Sequence, residues 1–124
     1  GILEDGSAVQ AKFKTWLDRL ATFAGELKDD QGKPIPVIFR PFHEHTQTWS
    51  WWGKSCTTEA EFIGLWKLTV NYLRDTKGIH QFVYAISPQM DSVKREEDFL
   101  FRWPGDEYVD FIGMDCYHGL NLPI

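Results

Sequence analysis

The stretch from Pro34 to Gly53, Pro-Ile-Pro-Val-Ile-Phe-Arg-Pro-Phe-His-Glu-His-Thr-Gln-Thr-Trp-Ser-Trp-Trp-Gly, most constrains what this chain can fold into. Ile35 to Phe39 is a near-continuous apolar run, as expected for a strand covered on both faces in a parallel sheet. Pro34 and Pro36 stand at its start, where a missing backbone donor costs least. The run then turns charged, at Arg40, His43 and Glu44. It continues into a loop, His45 to Cys56, that holds three of the six tryptophans. An exposed loop seldom carries so much indole without a binding role.

The flanking segments supply helices and two further strands. Ser7 and Gln10 are spaced as a capping box, and apolar residues recur at Val9, Phe13, Trp16, Leu17, Leu20, Ala24 and Leu27. That helical spacing assigns Trp16 and Phe23 to core packing. Asp29 to Gly32 ends the helix. A second helix starts at Thr58 with Glu61 as capping partner, carries Phe62, Leu65, Trp66, Thr69, Val70 and Leu73, and closes at Gly78. Gln81 to Ile86 reads as a strand ending in Ser87-Pro88, and Glu96 to Trp103 as a short helix or irregular link. After the turn Pro104-Gly-Asp106, Val109 to Met114 reads as a third strand ending in Asp115, Tyr117 and His118. Alternating helices and strands imply an α/β fold with parallel strands and right-handed crossovers. Functional groups at strand C-termini are the arrangement of a (β/α) barrel rim.

A complete barrel needs about 250 residues, so 124 residues with three strands read as a partial (β/α)8 barrel. We expect one unit, residues 1–124, forming the central fragment of a catalytic domain, because an open three-stranded sheet would leave two bare edges. Thirteen basic against eighteen acidic side chains give a net charge of −5. The basic residues form no run longer than Lys94-Arg95, so the footprint of a nucleic-acid binder is absent. No segment reaches the roughly 18 apolar residues of a membrane span. Cys56 and Cys116 lack metal-ligand spacing and leave at most one disulfide open. Aromatic residues make up 15% of the chain, enough either to fill a core or to build stacking surfaces for sugars.

Glu44 is the first candidate for chemistry. Glycosidic cleavage needs a carboxylic acid able to donate a proton to the leaving oxygen. Desolvation by aromatic rings favours the acid form, and Phe42, Trp49, Trp51 and Trp52 are close in sequence. Strand alternation would put Arg40, Phe42 and Glu44 on one side, leaving open a plain Arg40–Glu44 ion pair. His43 and His45, sharing a strand face beside Glu44, raise a zinc reading, but HExxH is lacking; we assign no metal and no cofactor. Asp115 and Tyr117 form a second cluster. Asp115 can be a second carboxylate, a hydrogen-bond partner or a loop cap, and Tyr117 can donate to a carboxylate or to a sugar hydroxyl.

Taken together, Arg40-Pro-Phe-His-Glu44, Trp49-Ser-Trp-Trp-Gly53 and Trp103-Pro-Gly-Asp-Glu-Tyr-Val-Asp-Phe-Ile-Gly-Met-Asp-Cys-Tyr117 resemble glycoside hydrolase family 26. This family is dominated by bacterial endo-β-1,4-mannanases. The resemblance runs over roughly residues 6 to 119. It implies a (β/α)8 barrel and retaining hydrolysis of mannan, galactomannan or glucomannan. It also implies export to the extracellular space or cell envelope of a bacterium, since a polymer does not cross membranes. By the same resemblance Glu44 is the acid/base, at the end of the fourth barrel strand, with His43 beside it. Tyr117 holds the nucleophile, and Arg40, Trp49, Trp52 and Asp115 line the substrate cleft. The segment His45-Thr-Gln-Thr replaces a Met-Asn-Gly-like one common in the family. The family's nucleophile, a glutamate on the seventh strand, falls beyond Ile124, so the remainder of the barrel is required and the isolated 124 residues are expected to be inactive. Related β-glucanase or β-xylanase activity, and a non-catalytic sugar-binding module built on Trp49, Trp51 and Trp52, are the competing readings.

Overall fold

A computed structural model describes residues 1–117. The elements in order are α1 (Ala8–Glu26), β1 (Val37–Phe39), α2 (Glu59–Asn71), β2 (Phe82–Ile86), α3 (Glu96–Leu100) and β3 (Phe111–Ile112). The strands form one parallel sheet in the order β1-β2-β3. Val37 pairs with Phe82 and Phe39 with Tyr84, while Ala85 pairs with Phe111 and Ile86 with Ile112. Three parallel strands linked through helices make this a stretch of (β/α) barrel, as expected.

Ser7 caps α1 by accepting from the Gln10 N–H. The Gln10 side chain does not return to Ser7. Its amide nitrogen donates to the Ile2 carbonyl and to Asp5, pinning the preceding turn instead. Thr58 and Glu61 form the full reciprocal box at the start of α2. At its end α2 widens into a π-helical turn, Tyr72–Thr76, and stops at Gly78, whose φ of +68° suits glycine.

The core lies where Leu17, Ala21 and Ala24 of α1 and Phe62, Trp66, Val70 and Leu73 of α2 meet Phe82, Tyr84 and Ile86 of β2. Trp66 is fully buried, and its indole N–H donates to the Tyr108 carbonyl at 2.9 Å, tying α2 to the approach of β3. β2 is the strand that fits the expectation of cover on both faces. β1 does not: Val37 and Phe39 pack against the core, while Ile38, which alternation puts on the opposite face, is 62% exposed. β1 and β3 are also shorter than the runs Ile35 to Phe39 and Val109 to Met114, whereas β2 takes in the whole of its apolar run.

Trp16 and Phe23 are a further correction. They are 63% and 56% exposed rather than in the core. Val9, Trp16 and Phe23 are spaced by seven and form a ridge about 100° around α1 from the buried line of Leu17 and Ala24. Trp16 instead joins Phe13, Leu20, Phe39, Phe42 and Trp51 in lining an open apolar groove of about 610 Å³. No disulfide joins Cys56 to Cys116. No helix among the described residues is long and apolar enough to cross a membrane. His118 lies outside the described residues.

The capping box at Thr58 gives a direct check on the start of α2. Thr58→Ala removes the acceptor for the Glu61 N–H. It should lower stability by about 1 kcal/mol in urea unfolding; an unchanged midpoint would show that this cap is dispensable.

Candidate active site

β1 ends at Phe39, and the chain does not continue as an alternating strand. Phe42 and Glu44 take left-handed backbone conformations, with φ of 53° and 54°. Each such non-glycine residue costs on the order of 1 kcal/mol or more. The expectation that Arg40, Phe42 and Glu44 share one strand face therefore fails, because the strand has already turned. The turn is held by the Glu44 N–H, which donates to the Ser87 carbonyl at 2.8 Å and so ties the end of β1 to the end of β2.

Glu44 is 5% exposed, and its nearest basic group is His43, with Nε2 at 3.7 Å from the carboxylate. Arg40 does not pair with it. Its Nη1 donates to both oxygens of Asp115, at 3.0 and 2.8 Å, and to Ser87 Oγ at 3.1 Å. Asp115 reaches this position beyond β3, through a parallel bridge to Gln89 in which the Asp115 N–H donates to the Pro88 carbonyl and the Met90 N–H to the Asp115 carbonyl. The ends of all three strands thus meet in one cluster of charge. Tyr117 is 76% exposed. Its phenol is pushed up mainly by the negative charge of Glu44, with burial and Asp115 adding to it, so the hydroxyl is a proton donor facing Glu44.

The aromatic loop builds one wall of this cluster. Trp52 Nε1 donates to the His43 carbonyl at 2.8 Å. The His43 ring lies 5.5 Å from Trp49 and 6.0 Å from Trp52. Trp49 is 58% exposed and presents its ring beside the acid, where it can stack on a pyranose. The three indoles do not make a flat platform: Trp49 and Trp51 stand at 77° and 84° to Trp52, and Trp51 turns to the groove against Phe42. His43 and His45, weighed in the sequence as a pair on one strand face, are not side by side, because His45 is buried against Phe62. His43, Glu44 and Asp115 do bring possible ligand atoms within 4.8 Å of one another, but Arg40 already supplies the cation for Asp115.

Sequence reasoning missed three contributors. Ser87 accepts from both Arg40 and Glu44, and its place at the end of β2 was the available signal. Gln89 is buried; its N–H donates to Thr46 Oγ1, while its Oε1 accepts from Gln47. Arg102, 2% exposed, clamps the far end of the aromatic loop. It donates to Thr57 Oγ1 at 2.7 Å and to the carbonyls of Thr57 and Trp52, and it lies over the ring of Phe62. Nothing in the local pattern around Arg102 announced a buried cation.

A sequence profile of glycosyl hydrolase family 26 matches residues 2–122. A mannan endo-1,4-β-mannosidase of Bifidobacterium adolescentis is 38% identical over 112 residues, which is 90% of this chain and 11% of that protein. One from Bacillus subtilis is 32% identical over 120 residues, 91% of this chain and 31% of that protein. Among solved structures, the catalytic domain of a Bacillus sp. endo-β-1,4-mannanase superposes with a TM-score of 0.86 at 45% identity, covering 90% of this chain and 29% of its own. A β-mannanase of Bacteroides ovatus superposes at 0.85 with 39% identity, covering 92% of this chain and 33% of its own. The chain therefore spans a third or less of each of these four proteins.

The aromatic loop is sensitive at Gly53, where a Cβ would drive into the Gln47 carbonyl oxygen and crowd Ser50. Gly53→Ala should destabilise the protein by about 1–3 kcal/mol. It should also shift the tryptophan emission as Trp52 leaves His43; unchanged emission and stability would mean that the loop tolerates a wider turn.

Proposed function

The chain belongs to glycosyl hydrolase family 26, and from that premise we propose that it carries the acid/base half of a retaining endo-β-1,4-mannanase. The observation that carries this reading is Glu44, a carboxylate buried at a strand end, with an exposed indole beside it and its backbone held by the next strand. In this mechanism Glu44 protonates the glycosidic oxygen as the bond breaks, and then takes a proton from the water that releases the sugar. His43 borders the acid, Trp49 stacks on a sugar ring, and Trp52 fixes the His43 backbone. Tyr117 donates a hydrogen bond to whichever carboxylate carries negative charge.

Retention requires a second carboxyl group about 5 Å from the first. Asp115 has an oxygen within 4.8 Å of Glu44, so spacing alone would qualify it. Arg40 Nη1 bonds both of its oxygens, however, in a charge-assisted pair that fixes the carboxylate in place and draws on the negative charge a nucleophile would use. We therefore read Asp115 as a cleft residue positioned by Arg40. The nucleophile is assigned to another part of the protein, and residues 1–124 to the central part of a barrel. That the chain spans only about 30% of its solved relatives supports this. The names of the relatives favour mannan over β-glucan or xylan. A polymeric substrate favours action outside the cell. A pure binding module fits less well, because the indoles are mutually steep and the buried acid would have no use.

Reducing-end release from galactomannan tests the assignment. In the full protein, Glu44→Gln should lower kcat about 10²–10⁴-fold, the usual worth of a general acid. Asp115→Asn should cost less. The isolated 124 residues should release nothing. A Glu44→Gln enzyme as active as its parent, or cleavage by the isolated chain that is lost in Asp115→Asn, would overturn the scheme.

A further inference from the structure

His45 has no place in the chemistry above, yet its environment is unusual. The ring is fully buried and stacked on Phe62 of α2, with centroids 4.7 Å apart and planes at 19°. Both ring nitrogens are buried without a hydrogen-bond partner. A methionine, leucine or phenylalanine would fill the same space without sacrificing two polar atoms, so an unsatisfied histidine calls for a reason. The residue before it is Glu44, in its left-handed conformation. The residue after it, Thr46, is 4% exposed and accepts from the Gln89 N–H. His45 is thus the wedge that seats the acid-bearing turn on α2.

We propose that His45 is the positioning residue for Glu44: its neutral ring, stacked on Phe62, holds the turn that aims the acid, and its protonation unseats that turn. The proposal rests on the acid/base reading of Glu44.

The charged surroundings favour a neutral ring. Burial lowers the affinity of His45 for a proton, and the Arg102 guanidinium adds to the effect, bringing its pKa down from 6.5 to about 4. Glu59 and Glu61 at the start of α2 do not offset this. Glu59 accepts from the Arg102 N–H, and Glu61 is engaged in the Thr58 cap. On its own segment His45 has Glu44 and His43, which face each other. Lys54 and Asp98 lie on the far side of Thr46, around a small cavity. No carboxylate is hydrogen-bonded to the ring to stabilise an imidazolium.

The sign follows from linkage. The unseated ring binds protons more tightly than the seated one, so the seat is at full strength above pH 6.5 and weakens as pH falls towards about 4. Within that window the seated-to-unseated ratio drops by up to tenfold per pH unit.

The test uses the full enzyme that contains this segment. Titration of the His45 ring by carbon-detected NMR should show it neutral down to about pH 5, with tryptophan emission changing as it protonates. His45→Phe keeps the stack on Phe62 and removes the titration. It should retain most of the parent's kcat at neutral pH and extend the acid limb of kcat to lower pH by at least half a unit, with KM little changed. His45→Leu removes both the stack and the titration, so it should lose kcat at every pH while also lacking the parent's acid-linked emission change. A leucine variant as active as the parent would mean that the stack does not aim Glu44. A ring that titrates near 6.5, or an acid limb identical in parent and variants, would overturn the proposal. If the parent proved inactive on every mannan, the acid/base reading would fall, whereas the ring titration and the emission change would still decide whether His45 seats the turn.

Discussion

One backbone hydrogen bond organises this molecule: the Glu44 N–H to the Ser87 carbonyl, formed after β1 has already ended. It requires the chain to leave the strand, pass through left-handed geometry at Phe42 and Glu44, and return to the end of β2. Natural chains accept such strain where the surroundings over-determine it. Here they do so from two sides, by the burial of His45 against Phe62 and by the bond from Trp52 to the His43 carbonyl. A buried acid at the rim is what this strain yields.

The charges around that acid are sorted rather than pooled. Arg40 sits in sequence beside Glu44 but is spent on Asp115, across the full width of the sheet. This pair draws the end of β3 towards the end of β1, with Ser87 of the central strand between them. Arg102 performs the matching task behind the aromatic loop, where its donors meet the carbonyls of Trp52 and Thr57. Burial lowers its pKa against the opposing influence of Glu59 and Glu61. One arginine thus fastens the front of the site and the other its back, leaving Glu44 to face His43, Tyr117 and the Arg40-bound Asp115.

Much of this was legible because it rests on local rules. The caps at Ser7 and Thr58, the alternation of helix and strand, and the arrival of Arg40, Glu44, Asp115 and Tyr117 at strand ends all follow from spacing and periodicity. What was not legible depends on contacts between distant residues. Alternation placed Arg40 beside Glu44, but it cannot foresee a strand that stops at Phe39. The apolar stripe of α1 placed Trp16 in the core, although a helix buries only part of a wide stripe and leaves the flank of Val9, Trp16 and Phe23 outside. Arg102 was overlooked because its partners lie about 45 residues earlier, in the aromatic loop.

The central claim, that Glu44 is the acid/base and not a structural carboxylate, is best tested by chemical rescue. Glu44→Ala in the full protein would be given an aryl β-mannobioside with a good leaving group, which needs no acid to depart, and azide would be added. The account predicts restored turnover and a β-configured mannobiosyl azide, because azide then enters the space from which Glu44 would have activated water. No rescue, or an α-configured azide, would contradict it: the first would leave Glu44 without a role in deglycosylation, and the second would make it the nucleophile.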